Sequence, residues 1–325
     1  MAFANSSVSD IVATTIQSRS RQIADNVTKN NALLARLSQR GNIRPFGGGN
    51  TILEELSFAE NGNAGFYSGY DLLPVAAADV ISAAEFSIKQ LACPVVMSGL
   101  EMLQNSGKEA FIDLLEARVN VAEATMSNKL AQSIYSDGTG SSGKEVVGLN
   151  AAAPSDPTTG TYGGIDRATW SFWRSKLYDF SNNSVTPSAT TIQAGLNTLW
   201  ASLVRGADRP DLIILDNTYW SYYMGSLQAL QRFTDPSTGS LGFPTLKYMD
   251  ADVVLDGGIG GYAPSATGFM LNTKYISLRP HRERNMVSLS PNKRYAINQD
   301  AEVQILAWAG ALTCRGAQFQ GRIQN

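Results

Sequence analysis

One histidine, His281, and two cysteines, Cys93 and Cys314, are the chain's whole stock of those residue types. A histidine-based metal site needs two or three imidazoles, so that class is excluded. A disulfide scaffold needs dense, paired cysteines, and two far-separated ones in apolar stretches do not make one. Charge is scarce as well. Asp, Glu, Lys and Arg make up 17% of the residues, against about 25% in an ordinary soluble protein. The formal net charge of −2 lacks the strong basic excess of a dedicated nucleic-acid binder. No apolar run reaches the roughly 20 residues of a membrane span. The first residues, Met-Ala-Phe-Ala-Asn-Ser-Ser, lack the basic start and apolar stretch of a signal peptide, so a cytoplasmic origin is expected. What is present is a Gly-rich chain of 325 residues with few catalytic groups. That composition suits a protein whose outside is covered by copies of itself, and the length predicts about two domains.

The small net charge hides an asymmetry. Residues 1–50 carry six basic residues (Arg19, Arg21, Lys29, Arg36, Arg40, Arg44) and two acidic ones (Asp10, Asp25), a balance of +4. Residues 51–145 carry 13 acidic and five basic residues, a balance of −8. A basic arm beside an acidic middle is a complementary pair, so the arm is expected to dock on an acidic element of its own subunit or a neighbour. Two solvated faces without mutual contact are the simpler reading.

Periodicity predicts the elements. Ile11, Val12, Ile16, Ile23, Val27, Leu33, Leu34 and Leu37 recur at helical steps, so 9–40 reads as a helical arm capped by Ser9 and Gly41. Its apolar stripe is thin, and such a helix needs another surface. After Gly47-Gly48-Gly49, the stretches 51–59 and 66–72 alternate apolar and polar. Asn61-Gly62-Asn63 between them is a hairpin signal. A third extended stretch, 84–97, follows a small-residue loop. The clearest element is 106–135, with Phe111, Leu115, Ala122, Met126, Leu130 and Ile134 on one stripe and Gly138 as the stop. It predicts a helix of roughly 40 Å. Residues 136–187 read as loop, with an aromatic cluster of Tyr162, Trp170, Phe172, Trp173, Tyr178 and Phe180. A helix at 189–205, a buried strand at 211–215 and a helix at 216–233 form an α/β unit. Strand is predicted over 243–255, 268–278, 285–290 and 301–323, with a turn at 257–261.

Catalytic motifs fail on context. Gly138 to Lys144 matches G-x-x-x-x-G-K, but Glu145 stands where Ser or Thr must hold the metal, and Pro154 and Pro157 bar the following helix. Gly258-Ile-Gly260-Gly261-Tyr-Ala263 follows a strand as a dinucleotide fingerprint does, but Pro264 and Gly268 prevent the required helix. Ser141-Ser-Gly-Lys144 has S-x-x-K spacing without partner motifs. His281, among Arg279, Arg282, Glu283 and Arg284, reads as a polar turn residue, and Cys93 and Cys314 as buried small side chains. Glu54 and Glu55 are adjacent, so on a strand they point to opposite faces. Arg36–Arg44 and Arg279–Arg284 read as patches that are solvated, subunit-facing or turned to nucleic acid. No catalytic, cofactor-binding or metal residue is assigned.

The order of these elements resembles the tailed-phage major capsid proteins of the Hong Kong 97 fold. The resemblance spans essentially the whole chain. It rests on Leu34-x-x-Leu37-x-x-x-Gly41 before the triple glycine, on Phe66-Tyr67-Ser68-Gly69-Tyr70 and on Asn105-Ser-Gly107-Lys-Glu109. It rests also on Tyr135-Ser-Asp-Gly138-Thr139, Gly148-Leu149, and Tyr162-Gly163-Gly164-Ile165-Asp166-Arg167. It implies an α+β capsid fold with an N-terminal arm (1–45), an extended hairpin or E-loop (46–98), a peripheral domain (99–144 and 266–325, spine helix about 106–135) and an axial domain (145–265). It implies a non-enzymatic shell protein, forming hexamers and pentamers of an icosahedral head around double-stranded DNA, in the virion after assembly in the host cytoplasm. Portal, scaffolding and decoration proteins are the implied partners, with non-specific contact to the packaged DNA and no membrane. The arm begins within a few residues of Met1, so scaffolding is expected from a separate protein. Lys89 lacks a motif assigning it to covalent cross-linking. Two further readings stay open: an encapsulin-like nanocompartment shell, and a hydrolase using carboxylates around 208–256.

Overall fold

A computed structural model describes residues 31–98, 100, 114–228, 245–257, 261–288, 294–295 and 301–325. Residues 9–30 of the arm helix with Ser9, the spine entry at 106–113, the end of the helix predicted to 233, the strand start at 243–244, Gly258–Gly260 and residues 289–290 lie outside them. The elements in chain order are α1 (Ala32–Gln39), β1 (Thr51–Ser57), β2 (Ile81–Ser87), β3 (Lys89–Ser98) and α2 (Leu114–Ser133), then β4 (Thr161–Tyr162), β5 (Ile165–Asp166) and β6 (Lys176–Asp179). There follow α3 (Ile192–Leu203), β7 (Leu212–Leu215), α4 (Asn217–Gln228), β8 (Thr245–Tyr248), β9 (Ala251–Leu255), β10 (Thr267–Leu271), β11 (Ile276–Pro280), β12 (Val287–Ser288), β13 (Arg294–Tyr295), β14 (Ala301–Cys314) and β15 (Gly321–Gln324). No helix among the described residues is long and apolar enough to cross a membrane.

Six strands form one mixed sheet in the order β6-β15-β10-β7-β9-β8, with β7–β9 and β6–β15 parallel. Alternate residues of β7 point to opposite faces. Ile213 and Leu215 join Val253, Met270 and Ile323 under α3 and α4, where Leu196, Leu199, Tyr219 and Tyr223 cover them. Leu212 and Ile214 join Val254, Phe269 and Leu271 on the other face. There α1 contributes Leu33 and Leu37, both fully buried. The helix is capped by Asn31, whose side chain accepts from the Leu33 and Leu34 amides. It stops at Arg40 with Gly41 at φ +66° and the Asn42 amide donating back to the Leu37 carbonyl at 2.8 Å. The described end of the stripe, Leu33 and Leu37, thus buries against the same chain, and residues 42–46 continue as an edge beside β11 through bridges at Ile43 and Phe46.

The second sheet is built on β14. Its ten residues Ala301–Gly310 pair antiparallel with β3, and β11, β12 and β13 also pair with it. Pro94 falls within β3, which pairs with β14 alone among the described strands and so tolerates a missing amide. The α2 helix lies against β3 and buries Ala122, Met126 and Leu130. The chain then folds back sharply: the Leu149 amide donates to the Ile134 carbonyl at 2.6 Å. A Cβ on Gly148 would sit 2.1 Å from that carbonyl oxygen, so only glycine fits there.

Three expectations change. The partner of β1 is β2, seven residues in register from Thr51↔Ser87 to Ser57↔Ile81, and 66–72 forms no strand. Alternation is a strand signal only where one face has a core to meet, and Ala84 and Phe86 of β2 share that core while 66–72 does not. The stretch 136–187, read as loop, carries β4, β5 and β6, strands too short for periodicity to register, one of them paired with the C-terminal β15. Thr267–Leu271 and Gly321–Gln324 enter the six-stranded sheet, whereas the intervening β11 to β14 form the other.

Because α1 is core, Leu33→Ala is expected to destabilise the protein by about 2–5 kcal/mol, as for other large-to-small core changes. Chemical denaturation measures this directly, and a change below about 1 kcal/mol would place α1 outside the cooperative core.

Candidate assembly surface

The β1–β2 ribbon is joined by a loop, residues 58–80, that carries large exposed apolar side chains. Phe66, Tyr70, Leu72 and Val75 are essentially fully exposed, and Tyr67, Leu73 and Ile81 are more than half exposed. Local polar contacts shape this loop without covering it. The Asn61 side chain accepts from the Asn63 amide at 3.0 Å, and Asp71 accepts from the Ser68 amide at 2.9 Å. So many large exposed apolar side chains in one segment are of the kind that marks an interaction surface.

The ribbon's inner face is polar at one place. Glu54 is buried, as its neighbour Glu55 is not. Its carboxylate accepts from Thr313 Oγ1 at 3.0 Å and faces Arg279 at 3.6 Å. The Arg279–Arg284 patch therefore turns at least one guanidinium inward. His281 packs edge-on against Phe46 at 5.1 Å and accepts from the Glu283 amide through Nδ1 at 3.2 Å, as a turn residue.

Among the described residues, the arm's Arg36 and Arg40 dock on acidic residues of the same chain that lie outside 51–145. Arg36 donates through Nε to Asp211 at 3.1 Å and pairs with Asp252 at 3.1 Å, while Arg40 reaches Asp211 at 3.2 Å. Lys247 completes the group on Asp252. Sequence balance missed this because the two carboxylates sit in the nearly neutral remainder of the chain, at the starts of β7 and β9. The other described carboxylates between 208 and 256 are also engaged. Hydrogen bonds from Lys274 and Tyr275 hold the Asp208 carboxyl below its usual range. Asp216 caps α4 by accepting from the Thr218 and Tyr219 amides. Asp250 pairs with Arg209 at 2.6 Å.

Asp256 differs from these. It is buried and accepts from Asn31 Nδ2 at 3.1 Å and from the Tyr135 hydroxyl. These three residues start α1, follow α2 and end β9. Burial pushes the Asp256 carboxyl above its ordinary range, against the lowering effect of hydrogen bonds from Tyr135 and the Tyr262 amide. Burial, with the neighbouring Asp256 charge, raises the Tyr135 phenol well above its own.

A cleft of 830 Å³ opens between α2, the outer face of β3 and residues 135–146. The Gly138–Glu145 motif forms its rim. Ser141 and Ser142 have φ of 50° and 59°, and Glu145 accepts from Ser136 Oγ at 2.8 Å, so the segment is a tight turn with no phosphate cradle. Among the described residues no cluster of three or more His, Cys, Asp or Glu could hold a metal. Burial pushes the Cys314 thiol up to about 12, while Cys93, expected to be buried, is partly exposed.

No family model and no curated protein matches the sequence. Solved structures do. The chain is similar to a chain of the cyanophage A-1(L) capsid asymmetric unit with a TM-score of 0.65 and 17% identity, over 93% of this chain and 94% of that one. It is similar to a Mycobacterium phage Bobi chain (TM-score 0.56, 13% identity, 94% and 93% covered). A chain from the capsid of a native GTA particle matches with a TM-score of 0.56 and 11% identity, 93% and 94% covered. The fold is the Hong Kong 97-type capsid fold.

Asp256 generates a pH prediction. A carboxyl whose folded pKa is raised contributes stability that is present below its unfolded pKa and lost as pH rises through the folded value. Relative to Asp256→Asn, the wild-type protein is therefore expected to lose stability as pH rises above the ordinary carboxyl range of about 4. Parallel thermal unfolding curves at every pH would refute this assignment.

Proposed function

We propose that this chain is a major capsid protein that assembles into hexamers and pentamers of an icosahedral head enclosing double-stranded DNA. One observation carries the reading: a chain with a capsid fold holds a loop whose Phe66, Tyr70, Leu72 and Val75 are essentially fully exposed. Fully burying each such side chain is worth about 1.5–3 kcal/mol. A neighbouring copy supplies the cover, repeated at every subunit of a shell, in contacts of the obligate class above roughly 2,000 Å².

In this reading the E-loop spans 46–98, the arm 1–45, the peripheral domain 99–144 and 266–325, and the axial domain 145–265. The axial sheet borrows β10 and β15 from the C-terminal third. The role is structural and non-enzymatic, which the engagement of the described carboxylates of 208–256 by cations, hydroxyls and amides supports. Portal, scaffolding and decoration proteins would be partners, DNA contact would be non-specific, and the assembled protein would reside in the virion.

Electron microscopy of purified protein tests the proposal. Closed shells are expected, and a monodisperse small oligomer at all concentrations would end the capsid reading. Shells loaded with protein in place of DNA would make the protein a nanocompartment. Phe66→Ser and Tyr70→Ser are each expected to raise the critical assembly concentration by about 10- to 100-fold without altering subunit stability. Light scattering against concentration measures that shift.

A further inference from the structure

A two-stranded ribbon is marginal alone and cannot set the direction of a loop at its end. The β1–β2 ribbon is instead gripped by the segment 161–173. There β4 and β5 form a miniature hairpin, with Gly163 and Gly164 at φ +58° and +76° as its two-residue turn requires. The Gly163 carbonyl accepts from the Glu85 amide at 2.9 Å, on the edge of β2 away from β1. The approach is close: a Cβ on Gly163 would lie 3.1 Å from both the Ala84 Cβ and the Phe86 ring.

Aromatic rings complete the grip. Phe86 meets Tyr162 edge-on at 5.4 Å, and Tyr162 stacks on Trp173 at 6.0 Å. Trp173 Nε1 donates to the Tyr162 carbonyl at 2.8 Å. Phe58, where the chain leaves β1 for the exposed loop, packs on Trp170 at 5.5 Å and Phe172 at 5.8 Å. The segment is itself anchored to the body. Buried Arg167 lies over the Tyr162 ring at 5.1 Å and donates to the Ala152 carbonyl at 3.1 Å, in the turn tied to the end of α2. Trp170 is distinct among these rings because it is 45% exposed, so it grips Phe58 from the rim without filling the core.

We propose that residues 161–173 are a positioning clamp that fixes the angle of the exposed loop in the free subunit, with Gly163 and Trp170 as its positioning residues. The inference rests on the assembly reading above. Holding the ribbon rigid to Phe58 confines flexing to 59–79, and a loop presented at a set angle loses less freedom on docking.

The test combines amide exchange and assembly. In the unassembled wild type the Glu85 amide is expected to be protected while the amides of 59–79 exchange freely. Trp170→Ala is expected to speed Glu85 exchange and raise the critical assembly concentration, each by about tenfold, with the subunit's unfolding midpoint little changed. Trp170→Phe should restore both, and Gly163→Val should reproduce the Trp170→Ala effects. Glu85 exchange as fast as that of the loop in the wild type overturns the clamp. So does Trp170→Ala assembling at the wild-type concentration into shells of wild-type diameter. If the wild type forms no shells, the assembly reading fails while the Glu85 exchange still decides whether the clamp exists.

Discussion

Asp211 is the charge on which much of this subunit converges. It begins β7 in the middle of the six-stranded sheet, and it accepts from Arg36 of α1 and from both the amide and the hydroxyl of Thr273. Arm base, central strand and the link from β10 to β11 are thus held by one buried carboxylate. Arg36 bridges on to Asp252 at the start of β9. In such a setting the loss of one partner strands the others, at a cost of about 3–5 kcal/mol. The network places α1 over Leu212 and Ile214, and from there residues 42–46 are led to the edge of β11.

That arrangement changes what the N-terminal arm is. Of its six basic residues, Arg36 and Arg40 are neutralised inside the subunit, and Arg44 donates to the Asn42 side chain at 3.4 Å. Residues 1–30 retain Arg19, Arg21 and Lys29 against Asp10 and Asp25. Two of the arm's cations are thus already engaged within the chain. Apolar surface, on the exposed loop, is the stronger candidate for holding subunits together. Apolar contact is not weakened by charge screening, whereas exposed charge pairs are screened within about 10 Å at moderate ionic strength.

The exposed loop and its base obey opposite rules. At the base, Glu54, Phe58, Phe86 and Gly163 each meet a specific partner, in a mixture of buried hydrogen bonds and ring contacts. At the tip, Phe66, Tyr70, Leu72 and Val75 are essentially fully exposed. A monomeric protein would select against that tip as an aggregation hazard. A shell subunit needs it, and needs the base rigid so that the exposed surface is offered in one geometry.

Local chemistry in the chain settles the elements with strong periodicity or punctuation. The helix stop at Gly41, the buried strand over Leu212–Leu215, the opposed faces of Glu54 and Glu55, and most of the spine helix all follow from spacing and stereochemistry within a few residues. The scarcity of charge and of histidine likewise bounds the function. Contacts between distant segments follow no local signal. The pairing of β1 with β2 depends on which segment can share a core through Ala84 and Phe86. The destination of Arg36 depends on where β7 and β9 begin, and the role of 161–173 on the edge of β2 being brought to Gly163. Alternation in 66–72 predicted a strand because period two records only that one face differs from the other. Whether that face meets a core, or waits for a second copy of the chain, is a property of packing, and packing joins residues that the sequence keeps far apart.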